Sequence, residues 1–389
     1  MEKRYYFDHN ATTPVRPEVI DAMLPYLVER YGNASSAHSF GREAREALEA
    51  SRERIAALIG AERDELYFTG CGTESDNIAL AGYMARSPEG RNTLVTTAIE
   101  HSAILRTGEM LERRGFRVVY AGVDRRSRVN LDELCRAVGP NTALVSVMHA
   151  NNETGVLQPI AEIAEMAHAA GALFHTDAVQ SAGKVPLNVR EMGIDMLSMS
   201  AHKVNAQKGL GALYIRRGIT VTPLTWGGRH EHGIRPGTEN VAGAVGFARA
   251  MELAVAGMRD GAAKLSALRD RLERGIEELI PNVTFNGRGA DRLPNTANIS
   301  FPGVDGEALL IGMDMEGIAV STGSACSAGE VEPSHVLTAI GIDPRTATSS
   351  LRFSLGWGSS EEGVDHILSV LPGIVERLRS VSGGVAGRG

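Results

Sequence analysis

The chain has 389 residues, of which 43% are hydrophobic, and its net charge is −7. This length supports more than one hydrophobic core, so we expect two domains. The charged fraction of 22% has no basic excess, which argues against direct nucleic-acid binding as the main function. No apolar run approaches the about 20 residues that a membrane span needs, so we expect no membrane association.

Short β-rich runs alternate with helical patterns through the first 250 residues. The predicted strands are residues 66–68, 93–96, 117–120, 143–147, 173–175 and 195–200. The predicted helices between them are residues 75–84, 102–114, 131–138 and 160–170. This alternation predicts an α/β fold with a mostly parallel sheet, which binds ligands at the carboxyl ends of its strands.

The pattern changes near residue 255. Apolar residues at helical spacing between 265 and 279 predict one face of a long helix, which Pro281 ends. Two strands are predicted at 296–301 and 317–321, with a helix at 307–313 between them. We therefore expect a smaller α+β domain in the C-terminal part of the chain.

A glycine-containing turn at residues 69–75 joins the first predicted strand to a helix. Small residues such as Gly72 let backbone N–H groups approach an anion, and Thr73 adds a hydroxyl donor. The same pattern is also typical of an ordinary turn followed by a helix N-cap. The motif G-x-x-x-x-G-K-[ST] is missing from the turn, so it is not a P-loop.

Asp177 and Lys203 each follow a predicted buried strand. A carboxylate at the position of Asp177 can hold a protonated pyridinium, which would make a pyridine cofactor a strong electron sink. A strand-end Asp that caps a loop is the alternative. A lysine that forms a Schiff base needs a lowered pKa, which a buried pocket after the strand supplies to Lys203. A surface lysine in a loop is the alternative there.

The three cysteines, Cys71, Cys135 and Cys326, lie far apart and form no C-x-x-C pair. A disulfide framework is therefore not expected, and a reducing, cytoplasmic setting fits best. Cys326 lies among small residues, which suits an exposed, reactive thiol. We interpret Cys71 and Cys135 as buried and inert. No structural metal site is expected, because the spacing in residues 230–232 does not place both histidines on one helix face.

Nine ordered segments resemble one family, the NifS/IscS-type cysteine desulfurases, which are fold type I pyridoxal-phosphate (PLP) enzymes of the class V aminotransferase family. The resemblance covers nearly the whole chain. Its motifs are Asp8–Pro14, Gly32–His38, Glu100–Ala103, Met148–Gly155, His175–Gln180, Ser200–Lys203, Arg235–Asn240, the segment around Cys326 and Ser350–Ser354.

The resemblance implies a specific architecture. The large PLP-binding domain would comprise residues 15–255 and contain a mostly parallel seven-stranded sheet. The smaller α+β domain would comprise residues 1–14 and 256–389 and carry the loop with the catalytic Cys326. Thr238 would reach the cofactor phosphate of a second subunit, which implies a homodimer.

The resemblance also implies a role for individual residues. Lys203 would form the Schiff base with PLP and act as the base, His101 would stack on the ring and transfer protons, and Cys326 would be the nucleophile. Arg352 and Asn152 would bind the substrate. Residues implied to bind PLP are Gly72, Thr73, His101, Asn152, Asp177, Gln180, Ser200, His202, Lys203 and Thr238. Within that set, Asp177 would pair with the pyridinium and Gln180 with the phenolate oxygen.

The implied activity is removal of sulfur from L-cysteine, which gives L-alanine and a persulfide on Cys326. The sulfur would pass to an iron–sulfur scaffold or another sulfur-acceptor protein, with Cys326 as a transient iron–sulfur ligand. The long stretch after Cys326 resembles the IscS/NifS branch. Two alternatives stay open: selenocysteine lyase or an aminotransferase on the same fold, and a partner-dependent sulfur-relay component with little free activity.

Some positions depart from the family pattern. Asn205-Ala206-Gln207 stands where Tyr-Gly-Pro is usual. Arg229 replaces a common glycine, His232 replaces an arginine, and Trp357 stands where a basic residue is common. These departures leave substrate preference, rate and choice of partner open.

Overall fold

The computed structural model describes residues 3–322 and 332–386, with side chains up to residue 381. The helices are α1 Pro17–Val28, α2 Ser39–Leu58, α3 Gly72–Asn77, α4 Ser102–Arg113, α5 Leu131–Ala137, α6 Ile160–Ala169, α7 Val241–Ala256, α8 Met258–Leu279, α9 Gly306–Met315, α10 His335–Ala339, α11 Pro344–Thr348 and α12 Glu361–Ala386. The strands are β1 Tyr5–Tyr6, β2 Leu66–Thr69, β3 Thr93–Thr97, β4 Arg117–Ala121, β5 Thr142–Ser146, β6 Leu173–Asp177, β7 Met196–Ser200, β8 Gly211–Ile215, β9 Thr284–Asn286, β10 Thr296–Ser300, β11 Ile318–Ala319 and β12 Ser350–Ser354.

The central sheet has seven strands in the order β2-β8-β7-β6-β5-β3-β4. Strands β4, β3, β5, β6 and β7 pair in parallel, and β8 runs antiparallel to both of its neighbours. The predicted α/β fold with a mostly parallel seven-stranded sheet is therefore confirmed.

Alternate residues of the central strands face opposite hydrophobic layers, as the two-residue period of a strand requires. Val95, Val145 and Leu197 belong to a core that also contains buried residues of α2, α6 and α7. Their neighbours Leu94 and Leu144 belong to a second core with residues 78–84, which follow α3, and with residues of α4. Because both faces are covered, the strands read as continuous apolar runs in the sequence.

A second sheet of three antiparallel strands, in the order β12-β10-β9, lies in the C-terminal part. It shares a separate core with α8, α9 and α12. Leu268, Leu272 and Ile276 of α8 are buried there, whereas Leu279 at the end of the predicted face is exposed. Phe7 joins this core from the N-terminal segment. The division into residues 15–255 and residues 1–14 with 256–389 stays a prediction.

Two elements differ from their predicted form. The helix expected over 75–84 begins earlier, at Gly72, and changes into a π-helical turn at Ile78–Gly82. The strand expected over 317–321 is reduced to β11, which pairs with the two residues of β1, and Ser321 forms a separate bridge with Arg352. Among the described residues, no single helix is long and apolar enough to cross a membrane. Only α7 and α8 taken together have that length and apolarity, and a bend of 71° separates them.

Candidate active site

One cavity of about 230 Å³ lies where the strand ends of the central sheet meet. β6 ends at Asp177 and β7 ends at Ser200, and these neighbouring strands run in parallel. Nine of the ten residues predicted to bind a cofactor line this cavity. They are Gly72, Thr73, His101, Asn152, Asp177, Gln180, Ser200, His202 and Lys203. The carboxyl edge of the sheet thus brings together residues that lie up to 131 positions apart in the chain.

Gly72 and Ser200 shape one end of the cavity. A Cβ on Gly72 would lie 2.7 Å from Cγ2 of Val179, so only glycine fits at this position without displacing its neighbour. Ser200 Oγ is buried and has no hydrogen-bond partner among the described residues. A buried hydroxyl without a partner is costly, so it calls for a polar ligand. This end of the cavity therefore fits an anionic group such as a phosphate.

His202 lies beside Ser200 in the cavity wall, and its Nδ1 is 3.0 Å from Oγ1 of Thr12. Burial, together with the positive charge of Lys203, lowers the pKa of His202 to about 4. The imidazole is therefore neutral near pH 7, so it acts as a hydrogen-bonding group and adds no cation to the cavity.

Lys203 follows β7 directly, in a short 3₁₀ turn over Ala201–Lys203. Its Nζ donates hydrogen bonds to the backbone carbonyls of Asn10, at 2.5 Å, and Ala11, at 2.9 Å. Burial and the nearby Arg352 lower the pKa of Lys203 to about 8. A lysine with this pKa has a far larger neutral fraction near physiological pH than an ordinary lysine, and the neutral amine is the nucleophilic form.

Asp177 is buried at the base of the same cavity, and its Oδ1 accepts a hydrogen bond from the backbone N–H of Val179 at 2.8 Å. Burial raises the pKa of Asp177, and the charges of His101 and Lys203 oppose that rise. A buried carboxylate is stable only with cationic or N–H partners. The site is therefore suited to a ligand that brings a protonated ring nitrogen.

His101 caps the N-terminus of α4, and its Nδ1 accepts the backbone N–H of Ala103 at 3.1 Å. Its proton therefore lies on Nε2 in the neutral form. Burial lowers the pKa of His101, and the charge of Asp177 opposes that change. A neutral imidazole at this wall can exchange a proton with a bound ligand.

Asn152 and Gln180 provide amide groups on another wall. Gln180 Nε2 donates to the carbonyl of Asn10 at 2.9 Å. Asn152 Oδ1 is buried and lacks a hydrogen-bond partner within the described part of the chain. Together with Ser200 Oγ, it is a second polar atom that a ligand in the cavity would satisfy.

Arg352 comes from the middle of β12 in the small sheet, and its side chain is 6% exposed. Nη2 donates to Oδ1 of Asp8 at 2.8 Å, and Nη1 donates to the carbonyl of Asn152 at 3.1 Å. Nε is buried without a partner among residues 3–322 and 332–386. The guanidinium is thus next to the cavity wall and retains a donor for a carboxylate.

One described residue of the predicted cofactor-binding set is not brought into the cavity. Thr238 lies outside it and is exposed, in the turn before α7. Cys326 lies outside the described residues. The interpretation of Cys71 and Cys135 as buried is wrong, because both thiols are exposed. Cys71 sits at the cavity rim as the N-cap of α3, and Cys135 lies on the outer face of α5, whose inner face is taken by Leu134.

Several residues of the site were not singled out from the sequence. Asp76, Met148 and Val179 also line the cavity. Asp76 is fully buried, and burial and the charge of Asp177 raise its pKa well above the usual range. Asp76 lies three residues after Thr73, so the helical i, i+3 spacing could have indicated from the sequence that both side chains face the same cavity.

The structure also shows what the carboxylate of Glu231, in the segment over residues 230–232, binds. Both oxygens of Glu231 bind the guanidinium of Arg52, at 2.6 and 2.9 Å, and one also accepts the N–H of Phe68 at 2.8 Å. The carboxylate is buried in this ion pair. It is therefore engaged in a structural contact and is not free to bind a metal with its two histidine neighbours.

The chain is similar to known proteins over nearly its whole length. Residues 5–367 match the aminotransferase class-V family. A cysteine desulfurase of Gluconacetobacter diazotrophicus is 49% identical, over 97% of this chain and 94% of the relative. The cysteine desulfurase IscS of Dictyoglomus turgidum is 48% identical, over 98% of this chain and 97% of the relative. A solved NifS-like protein is 39% identical with a TM-score of 0.91, covering 97% of this chain and 100% of that structure.

The chain therefore belongs to the aminotransferase class-V family, whose members depend on PLP. Within that family it is a member of the cysteine desulfurases, as the sequence motifs predict.

Proposed function

We propose that this chain holds PLP in the 230 Å³ cavity and uses it to move sulfur from L-cysteine to Cys326. The observation that carries the proposal is Lys203, an amine with a pKa of about 8, in the same cavity as the buried carboxylate of Asp177. The unpartnered Ser200 Oγ and Asn152 Oδ1 support it, because both are satisfied by a polar ligand in that cavity.

Each end of the cavity suits a different part of the cofactor. Gly72, Thr73, Ser200 and His202 would hold the phosphate, and Asp177 would keep the pyridine nitrogen protonated. Gln180 would donate to the phenolate oxygen. When bound, PLP supplies an electron sink for the carbon next to the substrate amine.

The residues of the chain then divide the work on L-cysteine. Arg352 would orient the carboxylate of the substrate, and Asn152 would contact the bound substrate beside it. Lys203, released as a neutral amine, would take the α-proton, and His101 would assist proton transfer. The lowered pKa of Lys203 suits this role, because an ammonium group cannot accept a proton.

Cys326 would act as the nucleophile on the substrate sulfur. Its thiolate would form an S–S bond with that sulfur as the bond from sulfur to Cβ breaks. The electron pair of the broken bond goes to Cβ, which takes a proton and becomes a methyl group, and Lys203 would return a proton to the α-carbon to give L-alanine. The persulfide on Cys326 would then pass its sulfur to an iron–sulfur scaffold or another acceptor protein. A reducing compartment such as the cytoplasm keeps this thiol available.

We also propose a homodimer in which Thr238 completes the phosphate site of the partner subunit. Thr238 is exposed in this chain, which leaves it accessible to a second subunit. Helix α1 carries exposed apolar side chains at Ile20, Leu24 and Leu27, each at least half exposed. Such a face is typical of a surface that another chain covers. Sedimentation of the loaded protein, with Leu24→Glu as the disrupting variant, tests this assembly.

The proposed activity is tested by incubating the purified, PLP-loaded protein with L-cysteine and a reductant. We expect alanine and sulfide, and a visible absorption band that disappears in Lys203→Ala. Cys326→Ser is expected to keep the visible band and to lose sulfide release. Normal turnover by Cys326→Ser would contradict the persulfide role.

Parallel incubations separate the alternative activities. Faster turnover of selenocysteine than of cysteine would indicate a selenocysteine lyase. Exchange between an amino acid and a keto acid, unaffected by Cys326→Ser, would indicate an aminotransferase. Turnover that requires an added acceptor protein would indicate a sulfur-relay component.

A further inference from the structure

Lys184 is a half-buried lysine next to the site that has no role in the proposed chemistry. It belongs to a series of turns that follow β6: Ala182 N–H bonds to the carbonyl of Ala178, and Lys184 N–H bonds to the carbonyl of Ser181, both at 2.9 Å. This coiling places residues four positions apart on the same side of the backbone. Lys184 therefore lies next to Gln180.

The two side chains are in direct contact. Lys184 Nζ donates to Oε1 of Gln180 at 3.2 Å, while Nε2 of Gln180 donates to the carbonyl of Asn10 at 2.9 Å. A glutamine amide has two orientations that differ by a 180° flip, and only its neighbours select one of them. Here the donor at Oε1 and the acceptor at Nε2 select the same orientation.

This orientation leaves one N–H of Gln180 available for a ligand. The amide carries two N–H donors, and the carbonyl of Asn10 uses one of them. Gln180 lines the 230 Å³ cavity, and Lys184 lines a neighbouring cavity of about 250 Å³. Lys184 thus contacts the amide of Gln180 without itself lining the cavity that is predicted to hold the cofactor.

The charges around Lys184 make its hydrogen bond to Gln180 more favourable than its own positive charge. Burial, Lys203 and Arg352 lower the pKa of Lys184 to about 7. The charge of Lys184 in turn lowers the pKa values of His9 and His202. A lysine surrounded by two cations and two histidines gains little from its own charge, whereas its hydrogen bond to Gln180 is available in either protonation state.

We propose that Lys184 is a positioning residue, which fixes the amide of Gln180 so that its N–H faces the phenolate oxygen of PLP. The inference rests on the proposed function, because it assumes that PLP occupies the 230 Å³ cavity. A donor to the phenolate oxygen draws away the negative charge that retains the proton of the Schiff base with Lys203. Loss of the Lys184 contact should therefore make that proton harder to remove.

The test is a pH titration of the visible absorption band of the PLP-loaded, full-length protein. We expect Lys184→Met to raise the titration midpoint by about 0.5 to 1 pH unit, the range of one ordinary hydrogen bond. Lys184→Gln, which keeps an uncharged donor, should recover at least half of the shift. Lys264→Met is the matched control, because Lys264 lines the same 250 Å³ cavity. It should leave the midpoint unchanged.

A second comparison separates positioning from simple charge. In a Gln180→Ala background, Lys184→Met should produce no further shift, since the residue through which it acts is gone. An unchanged midpoint in Lys184→Met, or an equal shift in both backgrounds, would overturn the inference. Circular dichroism of each variant confirms that the fold is retained. A wild-type protein without a visible band that depends on Lys203 would instead overturn the proposed function itself.

Discussion

The central sheet and the small sheet contribute to the site in different ways. The parallel strands of the central sheet present Asp177 and Ser200 at their carboxyl ends, where an α/β fold normally binds its ligand. The antiparallel small sheet presents Arg352 from the middle of β12. We infer from this difference that the central sheet serves cofactor chemistry and the small sheet serves substrate recognition. Substitutions in the two sheets should therefore affect different kinetic constants.

The largest effect is expected from Asp177→Asn in the central sheet. The amide keeps the shape of the side chain but cannot hold a ring nitrogen in its protonated form, so the electron sink is lost. We expect kcat to fall roughly 1000-fold, the scale of losing one preorganised electrostatic contact, with little change in KM. Steady-state kinetics with L-cysteine measures both constants. A higher KM with an unchanged kcat would contradict the assignment of Asp177 to cofactor chemistry.

Arg352→Gln in the small sheet is expected to act mainly on KM. Loss of a charge-assisted contact to the substrate carboxylate should raise KM roughly 50-fold and change kcat less. The single substitution also leaves Asp8 without its cation. The double variant Asp8→Asn/Arg352→Gln is the control. An equal KM in the single and the double variant would show that the whole effect comes from the lost contact between Arg352 and the substrate carboxylate.

The pKa of Lys203 predicts how the cofactor-free protein recovers PLP as pH changes. Only the neutral amine attacks the aldehyde, and burial lowers its pKa from 10.5 to about 8. The rate should therefore rise roughly tenfold per unit below pH 8 and level off above it. Stopped-flow absorbance measures the rate, and Nα-acetyl-lysine corrects for titration of PLP itself. A rate that continues to rise to pH 10 would show that the amine is not perturbed.

The smallest effect is expected from Asp8→Asn, which weakens the ion pair with Arg352 but leaves its bond to the carbonyl of Asn152. We expect KM to rise about fivefold, the scale of one partly exposed ion pair. A kcat effect larger than the KM effect would show that the small sheet also takes part in the chemistry.

Much of the cofactor cavity could be predicted because its residues lie in local motifs. Gly72–Thr73 follows a strand in a glycine turn, and Lys203 follows an apolar strand, so each could be proposed as a site residue from a few neighbouring residues, and the resemblance then favoured that interpretation over an ordinary turn or a surface lysine. Asp8 and Lys184 could not be recognised in this way. The partner of Asp8 is Arg352, 344 positions away, and Lys184 acts through the orientation of an amide.

The structure was also needed to explain Asn205, one of the departures from the family pattern. Asn205 adopts a positive φ of 66°, a conformation that asparagine tolerates better than most residues. Its side chain donates to the carbonyl of Pro14 at 2.9 Å, and its N–H donates to Oγ1 of Thr13 at 2.8 Å. Asn205 therefore ties the segment after Lys203 to the N-terminal motif, a contact that its sequence neighbours do not indicate.

The sequence by itself determined the class of fold, because strand periodicity is a local property of the chain. For Asp177 and Lys203 it placed both residues at strand ends, and the roles assigned to them there are predictions that the family resemblance implies. Only the tertiary structure decided the pKa values of these residues. The pKa of Lys203 depends on burial and on the charge of Arg352, which arrives from the other sheet. Electrostatic energies depend on distance and solvent exposure, and neither is set by position in the sequence.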